Sequence, residues 1–130
     1  MPTRQRIKSE LIDLKDDVKF ELSELNNQKE LVINGPASQL VKRAIHMSYL
    51  QGQKFAIDEI STLIEENHID EEFLIQYNNY EKHVRDQNLE KKFTFSNFTD
   101  IPHQFDEFIA SFYYLKGQNF VVTHINSIIE

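Results

Sequence analysis

Apolar residues recur along the first segment of this chain at steps of three and four. Between about Thr3 and Asn27 they are Ile7, Leu11, Leu14, Val18, Leu22 and Leu25, a spacing that gathers them on one stripe of a helix. Lys8, Glu10, Asp13, Asp16, Asp17 and Glu21 occupy the other faces. A coiled-coil seam has the same spacing, but a run this short is what any bundle helix shows.

Two further helical patterns are longer. One runs from the Asn34-Gly35-Pro36 step to about Glu66, with Ile45, Tyr49, Gly52, Ala56, Ile60 and Leu63 on its stripe. The other runs from the Asp100-Ile101-Pro102 step to Glu130, with Ala110, Tyr114, Gly117, Val121, Ile125 and Ile128. Asn34 and Asp100 are expected N-caps, with proline in the first turn, where its missing N–H costs nothing. Between them a third helix is expected from about Asp70 to Lys91. It opens on an acidic cluster and closes on lysines, as the helix dipole favours. Two pieces break the helical period: Glu30 to Pro36, with its β-branched residues, and Lys92 to Phe98, which alternates apolar with polar. Both read as short extended segments or apolar loop anchors.

The two long patterns share a heptapeptide. Tyr49-Leu50-Gln51-Gly52-Gln53-Lys54-Phe55 returns as Tyr114-Leu115-Lys116-Gly117-Gln118-Asn119-Phe120, about 65 residues later. Over 39–65, roughly nine of about 27 positions are identical at that offset, where chance gives about two. Upstream, at an offset of about 66, Ile7, Leu11, Leu14 and Val18 face Phe73, Tyr77, Tyr80 and Val84. The expected organisation is a single domain over 1–130, made of repeat units 1–66 and 67–130. Each unit is a helical hairpin, and together they form an all-α, four-helix bundle-like domain.

Glycine on an apolar stripe either ends one helix and starts another, or lets a neighbouring backbone approach an unbroken helix. The good helix formers around Gly52 and Gly117, and the absence of any following cap or proline, favour the second. Tyr49, Gly52, Phe55, Tyr114, Gly117 and Phe120 are therefore expected helix-packing residues. The copies also differ. Arg43 corresponds to Phe108, Ser48 to Tyr113 and Glu59 to His124, so the last helix is apolar around much of its circumference. Such a helix is either central in the monomer or covered by another chain. Phe108, Phe112 and Tyr113 are the candidate partner interface.

Composition narrows the function classes. The 130 residues carry a formal net charge of −7, ten Phe, five Tyr, three Gly, three Pro and no Cys. That is enough chain for one core, and few turns fit long helices. Without cysteine there are no disulfides, thiol catalysis or thiolate metal sites. No apolar run reaches membrane-span length and no signal core follows the basic N-terminus, so a cytoplasmic location is expected. Net negative charge disfavours nucleic-acid binding through phosphate neutralisation. It suits a binder of basic partners. Richness in Asn, Ile, Lys and Glu fits an A+T-rich bacterial or phage gene.

Chemistry is sparse. Glu65 and His68 have the Glu-x-x-His spacing of di-iron bundles, but the second unit stops where its matching histidine would follow. The expected role of His68 is therefore helix capping. No phosphate-loop glycines, zinc spacing or nucleophile elbow is present. Catalytic, cofactor and metal residues are all expected to be none. Arg4, Arg6 and Lys8 oppose the dipole of their own helix, so they either contact an anion or form a solvated terminus. The leading expectation is a non-enzymatic, acidic, oligomeric module that binds protein, itself included. The alternative is an acidic inhibitor or nucleic-acid mimic, a phage-type accessory protein that occupies a basic nucleic-acid-binding partner.

Overall fold

The computed structural model describes residues 3–27 and 33–129. It contains four helices among them: α1 (Thr3–Asn26), α2 (Ala37–Glu66), α3 (Asp70–Ser96) and α4 (Phe105–Ile129). The fold is an all-α bundle. α1 follows the expected stripe, with Ile7, Leu11, Val18 and Leu25 buried. α2 and α4 run unbroken through Gly52 and Gly117.

Side-chain contacts fix the directions. Arg4 reaches the carbonyls at the end of α2, and Arg6 reaches that of Ile128 at the end of α4. α2 and α4 therefore run together, both opposed to α1. The amide of Thr3 meets Asp70 at the start of α3, so α3 runs with α1. The most extensive pairing is α2 with α4, and α1 and α3 flank it. The core lies at the end holding the second halves of α2 and α4. Ile57, Ile60, Val121 and Ile125 are almost completely buried there against Ile7, Leu11, Phe73 and Tyr77.

A polar network ties α3 to α4 inside this core. The Tyr77 hydroxyl lies 2.7 Å from Asn126 Oδ1 and 3.0 Å from the Val122 carbonyl, donating between them. Burial, with the nearby Glu81 carboxylate behind it, pushes the Tyr77 phenol far above its ordinary pKa. Asn88 Nδ2 donates to the Leu115 carbonyl at 2.8 Å, two residues before Gly117.

Several local expectations are corrected. Residues 92–96 are helix, not an extended piece: α3 continues to Ser96. Its last turn is held by Phe95, whose ring lies 5.3 Å from that of Phe112 and 5.9 Å from that of Phe108. Tertiary packing thus overrides the strand-like alternation. The lysines consequently fall inside α3, and its last turn carries no basic residue. Of the other expected extended piece, residues 30–32 lie outside the described residues, as does Glu130. Within the described part, Pro36 is extended (φ −69°, ψ 148°) and is itself the N-cap of α2, without a side-chain cap bond. Asn34 therefore does not cap that helix. Nor does Asp100 cap α4, which begins only at Phe105; Asp100 Oδ1 instead accepts from the amide of Ile101 at 2.8 Å.

Arg4 and Arg6 of the basic N-terminal segment turn back onto helix ends of this fold, while Lys8 is exposed. Arg4 donates to the carbonyls of Ile64 and His68 at 2.8 and 2.9 Å. Guanidinium charge at the C-termini of α2 and α4 complements their dipoles, which offsets its unfavourable place at the start of α1. The residue that caps α2 is Asn67, whose amide and Nδ2 both donate to the Leu63 carbonyl. His68 contributes its carbonyl, not its ring, to that helix end.

Candidate interaction surface

α2 and α4 meet at their glycines. A Cβ on Gly52 would sit 1.9 Å from the Tyr114 carbonyl oxygen, and one on Gly117 would sit 2.0 Å from the Tyr49 carbonyl oxygen. Both obstacles are backbone, so only glycine allows this separation. The rings are exchanged in the same way: Tyr49 lies 6.1 Å from Phe120, and Phe55 lies 5.8 Å from Tyr114. All six heptapeptide residues expected to pack helices thus stand at one crossing. Burial raises the Tyr49 phenol pKa, opposed by a hydrogen bond with Gln53. Burial also raises that of Tyr114, with the Glu59 carboxylate adding to the shift.

Before the crossing, the two helices leave the shared core. None of the residues of α2 before Ser48, and none of α4 before Gly117, is fully buried. These first halves lie side by side and enclose a groove of about 360 Å³ lined mainly by Val41, Ala44, Ile45, Phe105, Ile109 and Ala110, with Ser48 and Asp106 the polar residues at its wall. Val41 is 57% exposed.

The three aromatic residues expected to meet a partner are brought together, but largely against their own chain. Phe108 and Phe112 pack on one another at 6.1 Å. Phe98 meets Phe108 edge-on at 4.9 Å, and Tyr113 meets Phe112 edge-on at 5.4 Å. Lys91 stands over the Phe108 ring and Lys116 over the Phe112 ring, at 5.1 and 5.0 Å. These are cation–π distances. Phe108, Phe112 and Tyr113 are left half-buried. The rings most open to solvent at this end are instead Phe93 and Phe95, 72% and 41% exposed. Phe95 also touches Phe105, 6.5 Å away, so the cluster and the apolar groove are continuous.

Phe95, Phe98 and the α2 wall of the groove were not expected at this surface. The signal for Phe95 lies in its spacing from Lys91, a helical step that carries α3 past the lysines. The α2 wall had no comparable signal, because Ala44 and Ile45 also suit an ordinary buried stripe.

Glu65 and His68 belong to no group able to hold a metal: among the described residues, no three His, Asp or Glu side chains converge closely enough. No described helix is long and apolar enough to cross a membrane. Comparison with protein-family models, with curated proteins and with solved structures found no match.

Proposed function

We propose that the chain is a non-enzymatic helical assembly module that binds protein, in the first place further copies of itself, through the open end of α2 and α4. One observation carries this reading: the groove between the first halves of these helices is apolar, open, and continuous with an aromatic cluster. Contiguous apolar surface of this kind marks interaction sites. The same proposal takes the chain as one domain of two units, 1–66 and 67–130, and the reciprocal contacts at the crossing support it.

Light scattering at high micromolar concentration tests the assembly. A species heavier than the 15.4 kDa chain is expected, and Val41→Glu, at an exposed position, is expected to return it to monomer. A strict monomer removes self-assembly, and an unaffected Val41→Glu oligomer removes the groove as its interface.

A second reading has a specific observation behind it. Glu65, Glu66, Glu71 and Glu72 are all exposed around the α2–α3 turn, at the end opposite the groove. That acidic cluster supports the acidic-inhibitor alternative, in which binding of a basic partner weakens steeply with salt. Salt-independent binding excludes it.

A further inference from the structure

Two clefts flank the glycine crossing, and they are built alike. The larger, of about 430 Å³, opens between α2, α3 and α4; Phe55, Tyr80, Tyr114 and Gln118 wall it, and Glu59 and His83 stand at it. The smaller, of about 280 Å³, opens between α1, α2 and α4; Leu14, Tyr49, Gln53 and Phe120 wall it, with Asp17 and Glu21. Every residue lining the smaller cleft stands about 65 or 66 positions from one lining the larger. The repeated heptapeptide supplies the tyrosine, leucine, glutamine and phenylalanine of both.

Helix packing alone does not account for these residues. The crossing requires glycine, and apolar neighbours would serve it as well as Tyr and Gln. Gln53 and Gln118 are 7% and 6% exposed, and burying an amide is costly unless it is paired; Gln53 is paired with Tyr49. Gln118 accepts from the Tyr80 hydroxyl at 2.9 Å at the wall of the larger cleft. The side chains of Glu59, His83 and Ser111 reach this cleft without a hydrogen bond or ion pair to any described residue, as do Asp17, Glu21 and His46 in the smaller, all but Ser111 being open to solvent. Convergent, unpartnered polar groups in an aromatic-walled concavity are the usual form of a small-ligand site.

The charge of the ligand follows from the lining. Neither cleft is lined by Lys or Arg and each has at least one carboxylate, but the Tyr49–Phe120 pair of the smaller cleft also lines an adjoining cleft with Lys92 and Lys116. In each, a Phe–Tyr ring pair stands in the same space as the carboxylate. Burial raises the Tyr80 and Tyr114 phenols, with Glu59 the next contributor; Glu21 acts in the same direction on Tyr49. The negative ring faces, the carboxylates and the net charge of −7 all attract cations and repel anions.

We propose that the two clefts are related binding sites for an organic cation, an ammonium or guanidinium group held against the Phe–Tyr pair. Glu59 supplies the counter-charge in the larger cleft, and Glu21 with Asp17 supplies it in the smaller. Such a cation is either a free small molecule or the end of a Lys or Arg side chain.

Titration of the full chain with agmatine, followed by NMR of the aromatic rings, tests this. The Phe55 and Tyr114 signals, and separately those of Tyr49 and Phe120, are expected to shift on saturation. Glu59→Gln, at an exposed position, is expected to weaken binding at the first pair about tenfold while leaving the second pair and the melting temperature unchanged. N-acetyl-arginine amide is the second arm. If it shifts the same rings, the site accepts a protein side chain; if only agmatine does, the ligand is a free cation. No ring shift with either compound at tens of millimolar overturns the proposal. So does undiminished binding to Glu59→Gln, or an equal response to succinate, an anion of comparable length.

Discussion

Gly52→Ala is the sharpest test of the helix crossing, because two physical effects of known sign oppose each other. In an isolated helix, alanine is more favourable than glycine by about 1 kcal/mol. In this fold the added Cβ falls 1.9 Å from the Tyr114 carbonyl oxygen, 2.7 Å from its carbon and 3.0 Å from its Cα. All three are backbone atoms in mid-helix, so no rotamer change relieves them. Restoring ordinary contact moves the helices apart by roughly 1.5 Å, and gaps of this order forfeit a quarter to a half or more of each dispersion contact along the seam. Overpacking of this kind costs about 1–3 kcal/mol and at times more; α2 with α4 is the main pairing of the bundle, which places it at the upper end. After the propensity gain, a net loss of about 2 kcal/mol remains, or roughly 5–10 °C in melting temperature for a chain of this size. Thermal melts and urea titrations followed by circular dichroism measure it, with Gln51→Ala on an exposed position as the control. The double variant Gly52→Ala/Gly117→Ala should lose less than the two single losses added together, since the first substitution already parts the helices for the second. A Gly52→Ala protein at least as stable as the parent would refute the close approach.

Two other expectations rest on single interactions. Tyr77→Phe removes the donor shared by Asn126 and the Val122 carbonyl while keeping the ring, and should cost about 1–2 kcal/mol in urea unfolding; an unchanged midpoint would mean that water replaces it. Burial tends to raise the Asp58 carboxyl pKa, but hydrogen bonds from Lys15 and Lys54, each 3.0 Å away, outweigh it and hold it below the ordinary value. A lowered folded-state pKa contributes stability that is present above the unfolded pKa and lost as pH falls through the folded one. Acid titration of Lys15→Met should therefore show a slightly smaller loss below about pH 4 than the parent, well under 1 kcal/mol because the pair is solvent-exposed. A larger loss in the variant would reverse the assignment.

Much of the candidate surface could be read before any fold was known, but unevenly. The aromatic excess of the last helix pointed to its first half, where Phe105, Phe108 and Phe112 do cluster. What could not be read was how much of that surface the chain itself covers. Phe95 and Phe98 come from a stretch whose local alternation resembles a strand, and they join the cluster only because α4 packs beside α3. Likewise Arg4 and Arg6 are an electrostatic liability within α1. They become favourable only when the ends of α2 and α4 arrive opposite them.

The sequence by itself determined the helices and the heptapeptide, because helical periodicity and a repeated motif are properties of residues a few positions apart. It also singled out Gly52 and Gly117 as positions needing an explanation, since glycine in mid-helix is unfavourable without one. Only the tertiary structure decided what each glycine faces, the carbonyl of a tyrosine in the other copy of the motif. It alone placed the tyrosine, leucine, glutamine and phenylalanine of each motif around two clefts. Those relations join atoms about 65 residues apart in the chain, and no local propensity carries information over that separation. Helix direction, crossing and packing do.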